Sequence, residues 1–232
     1  MTVPRPRSDG AGRGGSSHPT ARRGRAREPD IPYDPGSVAR LYGRRILLRP
    51  LAPTDFAAWS EVRIRNEEWL TVWEPKRHPG HPDVARDRDA FTVRCHARER
   101  ERQLGSGYGF GIFVDEELAG EINLNAIQRG PFQNAYVGYW IDQAKAGRSY
   151  VPEAVVVLAR FAFEELRLHR LQIAIIPRNA RSHRVMEKVD FRQEGVAVRY
   201  LEINGEWEDH VRYAITAEEW SQRRDELTAA WL

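Results

Sequence analysis

The chain has 232 residues, 41% of them hydrophobic, which is enough for one ordinary globular domain with a sizeable core. Its formal net charge of +3 is too small for a broad nucleic-acid-binding face, and no apolar run is long enough to span a bilayer. The single Cys95 excludes an internal disulfide and fits a reducing, cytoplasmic setting, and the Arg-rich N-terminus lacks the apolar segment of a secretory signal.

Residues 1–36, rich in Gly, Pro and Ser, contain seven Arg and four acidic residues, so the excess positive charge lies there and the rest of the chain is neutral. With almost no large apolar side chains, this stretch cannot bury enough surface to order itself and is expected to be a disordered basic tail. A weak contact with RNA, a plain solvated extension and a mis-assigned start codon are three readings of such a tail. Residues 37–232 are then expected to form a single domain.

GRRILLRPL (43–51) reads as the first strand. TDFAAWSEVRIRNEEWL (54–70) follows with a helical apolar pattern, and Thr54 is its expected N-cap. EPKRHPGHP (74–82) is a breaker-rich loop. His78 and His81 have a spacing that metal sites use, but no Cys or carboxylate cluster accompanies them, so no metal site is expected. Residues 83–103 read as a charged helix, in which Cys95 is expected to be a buried structural thiol rather than a nucleophile. Strands then dominate. YGFGIFV (108–114) and LAGEINLNAI (118–127) make a hairpin pattern, with Leu118, Gly120, Ile122 and Leu124 on one face and Glu121, Asn123 and Asn125 on the polar other. AYVGYWI (135–141) is the next strand, residues 150–167 have the period of a buried helix, and LQIAIIP (171–177) is a short apolar strand. NARSHRVMEKV (179–189) is a helix with Asn179 as a natural cap, and residues 196–215 form a hairpin around Asn204-Gly205. Mixed strands with helices inserted at intervals predict an α+β fold in three α/β/α layers.

The stretch DQAKAGRSYVPEAV (142–155) puts small and basic residues between a strand and a helix. The first N–H groups of a helix lack intrahelical partners and carry the positive end of its dipole, so such a loop can hold an anion. Lys145 and Arg148 would add charge at the rim, and Pro152 suits the first helical turn, where a missing N–H costs nothing. Every strand-to-helix crossover needs a turn, so the pattern taken alone is a weak signal.

This order of elements, with AKAGRS at 144–149 and NARSHRVMEKVDF at 179–191, resembles the GCN5-related N-acetyltransferase family. That family's loop has the form Gln/Arg-x-x-Gly-x-Gly/Ala; here Ala144 stands at the first position and Ser149 at the last. Its downstream pattern is matched at Asn179, Ser182, Val185, Glu187, Lys188 and Phe191, with Asp190 where Gly is usual. RNEEWLTVWEP (65–75), VGYWID (137–142) and YLEINGEWEDHVRYAI (200–215) are similar to the branch that acetylates the N-terminal alanine of ribosomal proteins. The resemblance covers about residues 40–216 and implies a mixed, mostly antiparallel central sheet of six to seven strands flanked by helices.

It also implies acetyl-CoA as cofactor. Residues Tyr139, Trp140 and Ile141 would pair by backbone with the pantetheine arm, the amides of Lys145, Ala146, Gly147, Arg148, Ser149 and Tyr150 would take the pyrophosphate, and Asn179 would sit beside the arm while also capping its helix. Many relatives use a Tyr as acid seven residues after this Asn; that position is Met186, so Ser182, one turn past Asn179, is the candidate instead, against a plain polar residue of the first turn. For the base, Glu121 competes with Asp209, His210 and a water relay to solvent. An N-terminal amine, with a reference pKa near 8, needs little help to become neutral. Trp69, Trp73 and Glu74 either receive the substrate's N-terminus, Glu74 holding its amine, or pack a helix end on the core. The implied activity is direct acetyl transfer to a protein N-terminus, a ribosomal protein among the candidates, by a monomer or homodimer without a membrane partner. A small-amine acetyltransferase, for example one acting on an antibiotic, and a non-catalytic acyl-CoA-binding regulator are the alternatives.

Overall fold

The computed structural model describes residues 40–232, so the tail expected over residues 1–36 lies outside the described residues. One sheet of eight strands runs in the order β1-β2-β3-β4-β5-β6-β8-β7. β1 (Leu41–Tyr42) and β2 (Leu47–Arg49) form one edge, beside the hairpin of β3 (Tyr108–Val114) and β4 (Glu117–Gln128). β5 (Asn134–Ile141) and β6 (Arg170–Ile175) occupy the middle, and β7 (Arg192–Ile203) and β8 (Glu206–Thr216) close the other edge. The sheet exceeds the expected six to seven strands because β1 has two residues, too few to show any periodicity.

All neighbouring strands are antiparallel except β5 and β6. A parallel pair needs a crossover, here α4 (Tyr150–Arg160), which continues as a π turn through Glu165. Residues Val151–Ala159 of α4 are all buried, as expected of a helix apolar on every side. Glu153 is the charged exception, and Arg45 satisfies it with its backbone N–H at 2.6 Å and its Nε at 2.8 Å. Together with α5 (Ala180–Val189) and α6 (Ala217–Trp231), α4 covers one face of the sheet, against Tyr108, Phe110, Ile122 and Leu124. On the other face α1 (Phe56–Arg65) and α3 (Arg88–Gln103) bring Trp59, Val62, Phe91 and Cys95 onto Phe113 and Leu118. Cys95 is a buried thiol, and burial pushes its pKa up to about 11.

Several local expectations change. Leu118 faces α1 and α3 rather than sharing a side with Ile122 and Leu124. The register of β3 against β4 shifts between Ile112 and Phe113, leaving Ala119 as an extra residue, and such a bulge reverses the faces beyond it. Thr54 caps no helix, because Pro53–Asp55 forms its own short 3-10 turn. There the Asp55 carboxylate accepts from the Ala52 N–H and from the Arg49 guanidinium, each at 2.8 Å. The charged helix starts five residues later than expected, at Arg88, where the Asp87 side chain accepts from the Asp89 and Ala90 amides. The helix expected over 54–70 is broken at Asn66 into α1 and α2 (Glu67–Thr71). At the far end, Asn204 and Gly205 both take positive φ in the two-residue turn between β7 and β8, as a tight hairpin requires.

Candidate active site

β5 and β6 pair only through Asn134–Tyr136 against Arg170–Gln172, whereas β5 stays paired with β4 to Ile141 and β6 with β8 to Ile175. The two central strands therefore part after Tyr136. A cavity of about 320 Å³ opens there, walled by Tyr139, Trp140 and Ile141, the loop before α4, one face of α5 and the end of α2. Its size suits a small-molecule cofactor. Because β5 has lost its neighbour, the strand edge can pair with an extended ligand that carries amides.

Asp142 sets up the next segment. It is almost fully buried, and its Oδ1 accepts from the Ala144 amide and from Asn66, while Arg65 donates to Oδ2. Burial alone would raise the Asp142 pKa, but the Arg65 and Asn66 hydrogen bonds and the Ala144 amide outweigh it and hold the carboxyl below its usual range. The Asn66 side-chain Oδ1 accepts from the Gln143 N–H at 2.9 Å, so the break between α1 and α2 clips down the start of the loop. Gly147 follows at φ +79°, where an added Cβ would meet nothing within 4 Å. The glycine is thus required by backbone conformation and not by crowding within the protein. Ser149 occupies the N-cap of α4 but does not cap it; its hydroxyl accepts from Lys188 Nζ at 2.7 Å instead. The first amides of α4 are left for an anion. Arg45, which is not part of the cavity wall, binds the Arg148 and Ser149 carbonyls at 3.1 and 3.3 Å.

Lys145, Ala146, Gly147, Ser149 and Tyr150 all reach the wall, while Arg148 does not. Lys145 is also paired with Glu117 at 2.8 Å. On α5, Asn179 accepts from the Ser182 N–H at 3.2 Å and both residues line the cavity, as do Val185 and Lys188. That spacing of three residues is one helical face. Met186 lies on the opposite side, 1% exposed in the core. The Tyr139 phenol is buried beside Ser182, which acts on its ionisation, yet its oxygen makes no hydrogen bond of ordinary geometry.

Trp69, Trp73 and Glu74 line the other end. The Trp69 indole N–H donates to the Ile141 carbonyl at 3.1 Å, and Arg181 lies 4.3 Å above its ring. Arg178 sits over Trp73 at 5.3 Å. The Glu74 carboxylate is not free to hold an amine alone, because both oxygens accept from Arg63 at 2.7 Å. Its carbonyl also takes the Asn204 N–H, tying this end to the β7–β8 turn.

The proposed bases lie elsewhere. Glu121 is 2% exposed, accepts from the Trp59 indole at 2.6 Å and from Arg94, and borders a separate cavity of about 20 Å³. It is neither a solvated strand residue nor part of the wall, since its strand face is covered by α1 and α3. His210 is buried against the Glu208 carbonyl and the Tyr200 ring, and Asp209 accepts from the Arg199 amide across the hairpin. Among the described residues, no group of three or more His, Cys, Asp or Glu is arranged to hold a metal ion. Sequence reasoning missed Arg181 and Arg184 in the wall and the Arg63–Glu74 pair. The four-residue helical spacing back from Val185 and Lys188 would have found the first two. Nothing local signals the third.

An unpaired strand edge, an uncapped helix start and four basic side chains in the wall fit a cofactor with an amide-bearing arm and phosphates. Comparison with known proteins agrees. Residues 45–192 match the Acetyltransferase (GNAT) domain family. The chain is 36% identical to "Probable N-acetyltransferase YjcK" of Bacillus subtilis, over 75% of this chain and 96% of that protein. It is 30% identical to the [Ribosomal protein uS5]-alanine N-acetyltransferase of Escherichia coli, over 80% and 94%. Among solved structures, Mycobacterium smegmatis RimJ in complex with CoA-disulfide superposes with a TM-score of 0.77 at 30% identity, covering 84% of this chain and 95% of that one. The parted strands, the loop and the cap belong to one scaffold: the chain is a member of the GNAT acetyltransferase family, an N-acetyltransferase that takes its acetyl group from acetyl-CoA.

Proposed function

We propose that the enzyme acetylates the N-terminal α-amine of a protein in the cytoplasm, with a terminal alanine as its preferred residue and a ribosomal protein as its substrate. The observation that carries this reading is the charge of the cavity. Lys145, Arg181, Arg184 and Lys188 line it against a single acid, Glu74, which Arg63 already neutralises. A polycationic amine such as an aminoglycoside would be repelled, whereas a peptide brings one amine of modest basicity and a neutral backbone. The 30% identity to an enzyme named for alanine acetylation of uS5 supports the same acceptor.

Bound acetyl-CoA would supply the thioester that the amine attacks. Tyr139 to Ile141 would hold the pantetheine arm along the open edge of β5, and the amides of Lys145 to Tyr150 would bind the pyrophosphate at the start of α4. Asn179 fixes the first turn of α5 and so the position of Ser182. Ser182 lines the cavity, and its hydroxyl would deliver a proton to the departing sulfur. With Glu121 engaged by Trp59 and Arg94 and with His210 outside the wall, the amine proton would leave to water, a modest demand for a group with pKa near 8. Trp69 and Trp73 would flank the incoming residue.

Incubation with acetyl-CoA and a library of N-terminal peptides, alongside an aminoglycoside panel, tests the assignment. Mass spectrometry should find acetyl on peptide α-amines with alanine first. Acetylation of the aminoglycosides and of no peptide would overturn it.

A further inference from the structure

Among the described residues, Glu74 is the one carboxylate in the cavity wall. Its two oxygens accept from the two terminal nitrogens of a single guanidinium, that of Arg63, each at 2.7 Å. Arg63 comes from α1 and does not reach the wall itself. Its Cζ lies 5.1 Å from the centre of the Trp140 ring and 5.8 Å from that of Trp59. A bidentate fork and two aromatic faces hold a guanidinium better than an exposed ion pair does. The neighbouring carboxylates are engaged in the same way. Glu121 on β4 and Asp83 ahead of α3 both act on Arg63, and each has its own guanidinium, Arg94 and Arg86. Glu208 on β8 is paired with Arg178, which covers Trp73, while Arg181 stands over Trp69.

An amine must be neutral to attack a thioester, because its lone pair forms the new bond. At pH 7 a peptide α-amine is about 10% neutral and a lysine ε-amine about 0.04%, a ratio of roughly 250. A free carboxylate beside the acceptor would hold the ammonium form and raise the pKa of the bound amine. A carboxylate already matched by a guanidinium does so far less.

We infer that Arg63 sets a preference for peptide α-amines over lysine side chains, acting through Glu74: by cancelling the one carboxylate of the wall, it keeps the site from holding an ammonium group. The pair then offers shape and hydrogen-bond acceptors without net charge. An α-amine, partly neutral in solution, enters and reacts. Lysine side chains and other strongly basic amines find no counter-ion and stay out. A plain staple between α1 and the segment after α2 would need the same pair, so the test reads charge and not only stability.

The inference rests on the α-amine acceptor proposed above. Wild type, Arg63→Met, Arg63→Lys and the double variant Arg63→Met with Glu74→Gln are compared on a lysine-free, alanine-terminated peptide. Single-turnover rates at saturating peptide are followed from about pH 6 to pH 10, and an Nα-acetylated lysine peptide serves as inhibitor. Arg63→Met leaves Glu74 as a free carboxylate. The midpoint of its pH profile should move up by about one pH unit, and the lysine peptide should inhibit about tenfold more strongly. KM for acetyl-CoA should hold, which also shows that the fold is kept. Arg63→Lys retains the charge and should stay near wild type. The double variant removes both charges and should bring midpoint and inhibition back. A midpoint and inhibition unmoved in Arg63→Met would overturn the inference. So would a double variant that behaves like Arg63→Met, since charge would not be the cause. If Arg63→Met does not fold, Glu74→Gln gives the opposite test: with Arg63 unmatched, the lysine peptide should inhibit severalfold less than in wild type, and unchanged inhibition would overturn the inference. Failure of the wild type to acetylate any peptide would overturn the proposed acceptor and this inference with it; peptide turnover with Arg63→Met unchanged overturns this inference alone.

Discussion

The two ends of the cavity are built differently. The end formed by the loop before α4 and the start of α5 is made of backbone: an uncapped helix, a glycine at positive φ, an Asn cap and an unpaired strand edge. The end formed by α2 and the β7–β8 turn is made of side chains paired across the fold, namely Arg63 with Glu74, Arg178 over Trp73 and Arg181 over Trp69. Backbone donors suit a ligand part that never varies, because no side chain has to be chosen. Side-chain pairs suit a part that differs between enzymes, because each can be exchanged without refolding the loop. The first end is therefore read as the donor site and the second as the acceptor site.

Breaking the backbone end should have the largest effect. Gly147→Val places a β-branched residue at φ +79° and a side chain where the phosphates would lie. Calorimetry should show acetyl-CoA affinity falling by roughly a hundredfold or more, since the amides of the helix start lose their alignment. Unchanged affinity would remove this loop from the donor site. Next comes Ser182→Ala, which should cut turnover by roughly tenfold to a thousandfold, the range for lost acid catalysis, with acetyl-CoA affinity kept. A wild-type rate would leave the α5 face with a binding role alone.

The side-chain end should respond more mildly and on the other substrate. Glu74→Gln leaves Arg63 half-buried and unpaired, which makes the acceptor end more positive. KM for the peptide should rise a few-fold (about 1 kcal/mol) while KM for acetyl-CoA holds, as for a contact made equally in ground and transition states. A collapse of kcat at constant peptide KM would instead make Glu74 part of the proton path. If acetyl-CoA binding changes as much as peptide binding, the two ends are not independent.

The smallest effect concerns pH. The Asp142 carboxyl is held below its usual range in the folded protein. Its contribution to stability is thus complete above the unfolded value of about 3.9 and disappears as pH falls through the lower folded value. Between pH 5 and 8 Asp142 should add no pH dependence. Below about pH 4 the Tm of the wild type should fall more steeply than that of Asp142→Asn. Equal slopes would show that the Arg65–Asp142 contact contributes nothing to folding.

Most elements and the residues that open α4 and α5 were legible in the sequence because their signals are local. Gly147, the Asn179 cap, the apolar run of α4 and the Asn204-Gly205 turn act within a few residues of themselves, through backbone conformation that each residue type dictates. The alternation that placed Glu121 on a solvated face was equally local. It failed because α1 and α3 cover that face, and Trp59 and Arg94 give the carboxylate the partners that burial demands. The same holds for Glu74, eleven residues from Arg63 in the chain, and for Asp142, which draws Arg65 and Asn66 from 77 and 76 residues away. Sequence by itself determined the order of most strands and helices, the Asn204-Gly205 turn, and which residues begin α4 and α5. Only the tertiary structure decided which charges are already spent on one another, where β5 and β6 part, and that the Tyr139 hydroxyl is buried without a partner. Those are properties of segments that only folding brings together.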